Sequence, residues 1–440
     1  MGNDFTYAIR GLVRENAIAA RRASELVASE RIAPAELERR QDALLRRSLE
    51  AAAERLPAYA GLRGRIPASG LREFLREAVP VHGKEELLAQ RERYYPNGGR
   101  ARWWWSVGRT SGSTGTPLEV FRSVDSAVWE HAFHLQHWRW AGLRPGEWQV
   151  VLRGDPVVPL ERQDPPFWYA DRIGRQLVVS LRHLTPRAAG PIGQAIRACG
   201  AMQLRAYPSA AGVLAQFNDE LRLGLRFRSI VTSSEMLYPL QRERIEASFG
   251  ARVFDFYGMA ERNALALQCE HGALHVHPGY SMVEIVDADG RPTEGEGHVA
   301  GTTLRNLTMP LLRYRLGDTA RWARQACRCG RSYPVIENLS GKVEEQVFDL
   351  DGRAVSPSLI TFAFKGVAHI ARAQVAQVAA DAWEVRVVPG PGWCEADARA
   401  LRQNFEQQVS RRLALRVQTV AAIPNLASGK YKWVTQEWRV

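Results

Sequence analysis

The 440 residues include only five cysteines, too few for a disulfide framework in a chain of this length. No run of about twenty apolar residues and no secretory h-region is present, so membrane insertion is not expected and a cytoplasmic location is. No block of consecutive basic residues accounts for the net charge of +12, and no RNA- or DNA-binding module is legible. Nucleic acid is therefore not an expected partner. The spread-out arginine excess suits small anionic ligands instead. What the chain does have is 45% hydrophobic residues, enough for a large core and for more than one domain.

Residues 1–90 read as a helical lead-in. Ala, Leu, Glu and Arg dominate Ile18–Ala53 without an internal glycine, and Pro34 is placed to open a new helix. Shorter helices are expected at Leu71–Ala78 and Lys84–Arg91. Trp103-Trp104-Trp105 is read as buried core and surface packing rather than a ligand pocket, because of its large hydrophobic area. Asp125–Trp140 reads as a helix with His131, His134 and His137 at three-residue spacing. Nothing there completes a metal site, so packing or a pocket wall is expected. From Trp148 to about residue 300, strands and helices alternate: Leu177–Ser180, Pro186–Ala198, Leu204–Tyr207, Ser209–Leu221, Ser229–Thr232, Pro239–Ser248, Arg252–Tyr257. This alternation predicts a largely parallel sheet covered by helices, with ligands at the carboxyl ends of its strands.

Thr110-Ser111-Gly112-Ser113-Thr114-Gly115-Thr116-Pro117 concentrates hydroxyls and glycines between apolar flanks (Val107 before; Leu118, Val120 and Phe121 after). Glycine lets backbone amides approach a ligand closely and hydroxyls add donors, so the stretch suits a polyphosphate held between two strands. A Gly-Lys-Ser/Thr ending is missing, which excludes a Walker loop. The string resembles the phosphate-binding loop of the AMP-forming adenylate enzymes. Its Thr-Pro-Leu-Glu-Val ending, without the lysine usual after that proline, is closer to the phenylacetate–CoA ligase-like branch with its capsule-locus proteins.

Further motifs extend the resemblance in the order that family has them. Ser233-Ser234-Glu235 stands where the family has a turn bordering adenine. Tyr257-Gly258-Met259-Ala260-Glu261 is similar to its aromatic-Gly-x-x-Glu motif, implying that Tyr257 and Gly258 lie at adenine and that Glu261 supports Mg²⁺; hard carboxylate oxygen suits that cation. Arg313-Tyr314-Arg315-Leu316-Gly317-Asp318 resembles the signature whose aspartate accepts both ribose hydroxyls, a role a carboxylate at Asp318 can fill. Gly341-Lys342-Val343-Glu344-Glu345 stands at the family's interdomain hinge. Here Lys342 replaces an arginine that meets the ribose, losing its bidentate fork, and Glu344 takes the pivot position. Ser428-Gly429-Lys430 is similar to the terminal loop whose lysine meets the carboxylate and the α-phosphate.

Cys269, His275, Cys327 and Cys329 have the composition of a tetrahedral Cys₃His structural zinc site, with His271 and His277 as other candidates for the imidazole; free thiols in a turn are the alternative. A histidine before the strand Tyr280–Val286 is what the resemblance favours, hence His275. Beyond the hinge, strands at Arg372–Ala379, Ala382–Val388 and Leu415–Ile423 with a helix at Ala396–Leu413 predict a compact α+β unit.

The expected architecture is α/β: a large N-terminal domain, residues 1–340, with mainly parallel sheets and helices, hinged to a small mobile α+β domain, residues 341–440. The resemblance implies a ligase that activates a carboxylic acid, aryl or arylalkyl by default, with ATP and Mg²⁺ and passes the acyl group to CoA. An amine acceptor, giving amide ligation, is an alternative because no CoA-specific motif is present. A non-catalytic nucleotide-binding protein is another, drawn from Lys342 and the absent loop lysine.

Overall fold

The computed structural model describes residues 16–440 apart from 111–117, 154–156, 160, 341–342, 345–346, 353, 356–358, 361–362, 365, 411, 425–431 and 439–440. The chain forms two compact units. One comprises Met1–Thr110, Leu118–Gly142 and Phe254–Gly341; the other comprises Ser111–Pro117, Leu143–Val253 and Lys342–Val440.

The chain begins in helices with identifiable ends. The Asn16 side chain caps α1 (Ala17–Ala28) by accepting from Ala19 N at 3.0 Å. Pro34 opens α2 (Pro34–Arg55) in the first turn, where its missing N–H breaks no helical bond. Next come α3 (Leu71–Ala78), α4 (Lys84–Ala89) and α5 (Arg91–Tyr94). Strands β1 (Ser106–Arg109) and β2 (Glu119–Arg122) form an antiparallel pair, so the hydroxyl-rich stretch does connect two strands. Ser123 caps α6 (Val124–Trp140), accepting from Ser126 N at 3.1 Å.

The alternating region begins with β3 (Gln149–Arg153), β4 (Trp168–Asp171) and β5 (Gln176–Ser180). Helix α7 (Pro186–Cys199) is capped by Thr185 and stopped by Gly200 at φ 62°. Then come β6 (Gln203–Ala206), α8 (Pro208–Glu220), β7 (Ser229–Ser233), α9 (Pro239–Phe249) and β8 (Arg252–Gly258). After these the helices stop, and β9 (Leu265–Gln268), β10 (Leu274–Val276), β11 (Ser281–Val286), β12 (Gly297–Thr303), β13 (Tyr314–Trp322) and β14 (Val335–Ser340) follow.

In the second unit β7, β6, β3 and β5 are parallel neighbours, closed by the antiparallel β4. In the first unit β8, β9, β10, β14, β13, β12 and β11 follow one another across the sheet, each antiparallel to its neighbours there. The parallel sheet expected to run to about residue 300 thus ends sooner. The connections after β8 are too short to hold a crossover helix, which antiparallel pairing does not require.

The C-terminal part of the second unit contains β15 (Val343–Glu344), β16 (Val347–Phe348), β17 (Ala354–Val355), β18 (Ile370–Gln377), β19 (Ala382–Pro389), α10 (Glu395–Gln408), β20 (Ala414–Thr419) and β21 (Lys432–Gln436). Its five-stranded sheet runs β15-β21-β18-β19-β20. Helix α10 ends five residues before the expected Leu413, and Ser410 Oγ then accepts from Arg412 N at 3.1 Å in a side-chain turn.

The first unit buries Leu45, Leu49, Leu75, Phe121, Leu312 and Tyr314 in one cluster. The second has a core of Val150, Ile192, Leu204, Leu214 and Ile230 between sheet and helices, and another of Trp383, Leu401, Phe405 and Trp433. Trp103, at 91% exposure, and Trp104, at 47%, are not part of any core. They pack edge-to-face on each other with ring centroids 5.4 Å apart, while Trp105 stacks on Phe121 at 5.8 Å, so of the expected burial and surface packing only the surface packing is found at Trp103 and Trp104. No described helix is long and apolar enough to cross a membrane.

Candidate functional site

Of the hydroxyl-rich stretch, Thr110 is described; Ser111, Gly112, Ser113, Thr114 and Gly115 lie outside the described residues. Thr110 closes the hairpin base twice, its N–H donating to Leu118 O at 3.0 Å and its Oγ1 accepting from Leu118 N at 2.9 Å. Glu119 braces the strands through Arg91 (2.6 Å) and Arg109 (2.9 Å). Burial pushes its carboxyl up, but the two guanidiniums outweigh that and hold it below the usual range.

The first unit brings together acids from two separate motifs. Tyr257, near the end of β8, donates its hydroxyl to Asp318 Oδ2 on β13 at 2.7 Å. Tyr314, on β13, donates to Glu261 Oε1 at 3.3 Å. Burial, then the nearby acids, pushes both phenols up, so both remain hydroxyl donors at neutral pH. Gly258 is required here because a Cβ on it would stand 2.8 Å from the Phe256 ring.

The turn carrying Glu261 is anchored by residues the sequence reading passed over. Arg262 follows at φ 58° with 7% exposure, in left-handed backbone that a non-glycine residue holds only under tertiary constraint. Its Nε lies 3.4 Å from Glu130 Oε2 on α6, which also accepts from Tyr280 OH at 2.9 Å. Burial raises the Glu130 carboxyl, but Arg262, His134 and Arg122 drive it far below the usual range. Arg122 donates to Ala260 O, crossing Gly108, where a Cβ would overlap its guanidinium. Asn263, fully buried, donates to Tyr314 O at 3.4 Å. The sequence signal for this group is a carboxylate at mid-helix between Trp129 and His131, at Glu130, and a basic residue beside the motif acid, at Arg262.

Ser233, Ser234 and Glu235 belong to the second unit. Ser234 is left-handed at φ 71°, and Glu235 Oε2 accepts from Ser209 N at 3.1 Å, so this acid also caps the start of α8. Lys342 and Lys430 lie outside the described residues. The backbone of Glu344 is in β15, where it pairs with Val434.

Cys269, His275, Cys327 and Cys329 converge, with one ligand atom from each and all four within 4.8 Å of one another. The Cys269 and Cys327 sulfurs are 3.6 Å apart, and Cys329 Sγ is 3.3 Å from His275 Nε2. His275 Nδ1 lies 3.0 Å from Tyr333 O; donation there fixes the tautomer that leaves Nε2 for a metal. Backbone N–H groups of His271 and Arg331 point at Cys269 Sγ and Cys329 Sγ. The set fits tetrahedral zinc, and four protein ligands leave no position for chemistry. His277 is not in it; its Nε2 pairs with Gln136 Oε1 at 2.9 Å. Beneath the set, the Arg331 guanidinium lies 3.9 Å from the Trp140 ring and bonds Glu270 at 2.7 Å. On α6, His131 and His137 are buried and His134 stacks on Phe256 at 4.7 Å, which is packing.

The comparisons with known proteins follow this geometry. Residues 347–437 match the CapK C-terminal domain. The chain is 30% identical to a phenylacetate-coenzyme A ligase of Thermus thermophilus over 113 residues, 24% of this chain and 25% of that protein. It is 23% identical to Protein CapK of Staphylococcus aureus over 216 residues, 48% of this chain and 46% of that protein. The chain thus spans a quarter to a half of the length of these curated relatives. Among solved structures, 2-hydroxyisobutyryl-CoA ligase with 2-HIB-AMP and CoA in its thioesterification state covers 93% of this chain and 92% of its own, at 20% identity and a TM-score of 0.56. An open conformation of the same ligase aligns with a TM-score of 0.51 and 19% identity, over 90% and 91% of the two chains. The fold is that of the AMP-forming, adenylate-forming superfamily. The sequence matches, each to part of the chain, are to a phenylacetate-coenzyme A ligase, to Protein CapK and, over residues 347–437, to the CapK C-terminal domain.

Proposed function

We propose that the protein is an AMP-forming ligase that activates a carboxylic acid, aryl or arylalkyl, and transfers the acyl group to CoA in the cytoplasm. The observation that carries this reading is the pairing of Asp318 with Tyr257 and of Glu261 with Tyr314, which supports reading the two acids together as diol acceptor and hard-cation ligand. In the proposed reaction a substrate carboxylate oxygen attacks the α-phosphorus of ATP, the bond to the β-phosphate oxygen breaks, and pyrophosphate leaves. The CoA thiol then attacks the acyl carbonyl, loses its proton and expels AMP.

Asp318 accepts the ribose hydroxyls, Tyr257 presents its ring to adenine beside Gly258, and Ser233–Glu235 border the base. Thr110–Gly115 bind the phosphates and Lys342 the ribose. Glu261 would hold Mg²⁺, which when bound neutralises phosphate charge. Lys430, on a small domain of residues 341–440 pivoting at Glu344, offsets charge growing at the α-phosphate. Zinc at Cys269, His275, Cys327 and Cys329 would be structural.

Incubation with ATP, Mg²⁺ and a panel of aryl and arylalkyl acids should release pyrophosphate and AMP, and free CoA should then accept the acyl group. Asp318→Ala should weaken ATP binding by about 1.5–3 kcal/mol, the scale of charge-assisted hydrogen bonds. Formation of ADP would refute the reading. Acyl transfer to amines but not to CoA would replace the acceptor while leaving the adenylation step standing.

A further inference from the structure

Two tyrosine–acid pairs share one spacing. Tyr257 precedes Glu261 by four residues, and Tyr314 precedes Asp318 by four. Each tyrosine bonds the acid of the other segment. Tyr257 reaches Asp318 at 2.7 Å and Tyr314 reaches Glu261 at 3.3 Å, so the two segments are cross-braced in both directions.

Each brace has a fixed footing. Tyr314 is 1% exposed, and its neighbours in the chain are tied down: Arg315 N donates to His82 O at 2.9 Å, and His82 N to Arg313 O at 3.3 Å. Asn263 holds the Tyr314 carbonyl from the other side. Tyr257 lies on β8, paired in register with Ala266 of β9. The rings are therefore set by backbone pairing and packing, while the acids sit on a turn and on a half-exposed strand. A carboxylate with one oxygen engaged by a fixed O–H loses rotation about its last side-chain bond and keeps lone pairs for further donors or a cation.

We propose that Tyr257 and Tyr314 are positioning residues serving opposite ligands: the Tyr257 hydroxyl orients Asp318 for the ribose diol, and the Tyr314 hydroxyl orients Glu261 for the divalent cation. This rests on the adenylation reading of the same site. It divides labour between two hydroxyls that the motifs alone leave without a role.

The test removes one oxygen at a time. Tyr257→Phe and Tyr314→Phe keep both rings and so preserve packing. Calorimetric titration of the full chain with ATP and with 2′-deoxy-ATP, each over a range of Mg²⁺ concentrations, separates the two roles. Tyr257→Phe should reduce the preference for ATP over 2′-deoxy-ATP about three- to tenfold, the scale of one hydrogen bond, with the Mg²⁺ midpoint unmoved. Tyr314→Phe should raise the Mg²⁺ concentration for half-maximal ATP binding by about the same factor and leave the sugar preference unmoved. A general structural role would shift both readouts together in both variants, and that result overturns the proposal. So do variants indistinguishable from a parent that binds ATP, which leaves the adenylation reading intact. A parent that binds no nucleotide overturns both.

Discussion

Replacing Arg313 with methionine should destabilise the first unit more than neutralising its ion-pair partner Glu284. Both side chains are almost fully buried, with Arg313 Nε 3.0 Å from Glu284 Oε2. The remaining donors of Arg313 go to three backbone carbonyls: Gly290 O at 2.7 Å, Val79 O at 3.0 Å and Arg76 O at 3.3 Å. Arg313→Met strands those carbonyls and leaves Glu284 facing only the half-exposed Arg76, whose Nε is 3.0 Å away. Breaking a buried pair from one side costs about 3–5 kcal/mol. For a unit of this size that lowers Tm by roughly 6–20 °C. Glu284→Gln also breaks the pair from one side, but it keeps an acceptor for Arg313 and all three carbonyl oxygens that solvate the guanidinium, so a smaller cost of about 1–3 kcal/mol is expected. The left-handed backbone at Arg313, φ 46°, is equally strained under methionine and cancels from the comparison. Urea unfolding read by tryptophan fluorescence gives the two costs. Hydrogen exchange at residues 79–82 and 313–316 locates them. A methionine variant within about 1 kcal/mol of the parent, or a glutamine variant as damaged as it, would refute the reasoning.

Protein purified without added metal should carry about one zinc per chain by elemental analysis, and Cys327→Ser or Cys329→Ser should lose the metal and stability together; metal-free protein of parental stability would exclude the site. Burial holds the His137 imidazole down at about 3, so the unfolded chain takes up a proton below about 6.5 that the folded chain refuses. Stability from this source is complete above that pH and declines by about 1.4 kcal/mol per unit as pH falls toward 3. Urea midpoints from pH 7 to 4.5 should therefore fall less steeply in His137→Gln than in the parent, and equal slopes would contradict the sign. Lys430→Ala should slow acyl-adenylate formation by about 10²–10³, the scale for a lost electrostatic stabiliser, yet transfer pre-made acyl-AMP to the acceptor at close to the parental rate; equal loss in both half-reactions would count against a swinging small domain.

The parallel half of the fold was legible because each strand is a short apolar run flanked by a helix start: Pro186, Pro208 and Pro239 all fall at first turns. The strands β9, β10 and β14 were not. They are short, and β10 and its flanks carry the histidines and cysteines that attract a metal reading, so period-two alternation never accumulates. At the candidate site, motif order singled out Tyr257, Glu261 and Asp318. Nothing local marks Arg122 or Asn263, whose roles exist only once residues distant in the chain pack together, 138 positions apart for Arg122 and Ala260 and 51 for Asn263 and Tyr314. Trp103 and Trp104 show the opposite failure: composition implies burial, and chain position denies it.

The two hydrogen bonds between Thr110 and Leu118 have a consequence for how the intervening segment can change. Hydrogen bonds at the hairpin base, together with the arginine clasp on Glu119, bring the segment's two ends together whatever lies between them. For a loop whose closure is already provided, each doubling of length adds only about 0.6 kcal/mol of entropy. Insertions or deletions between Ser111 and Pro117 should therefore leave folding almost untouched.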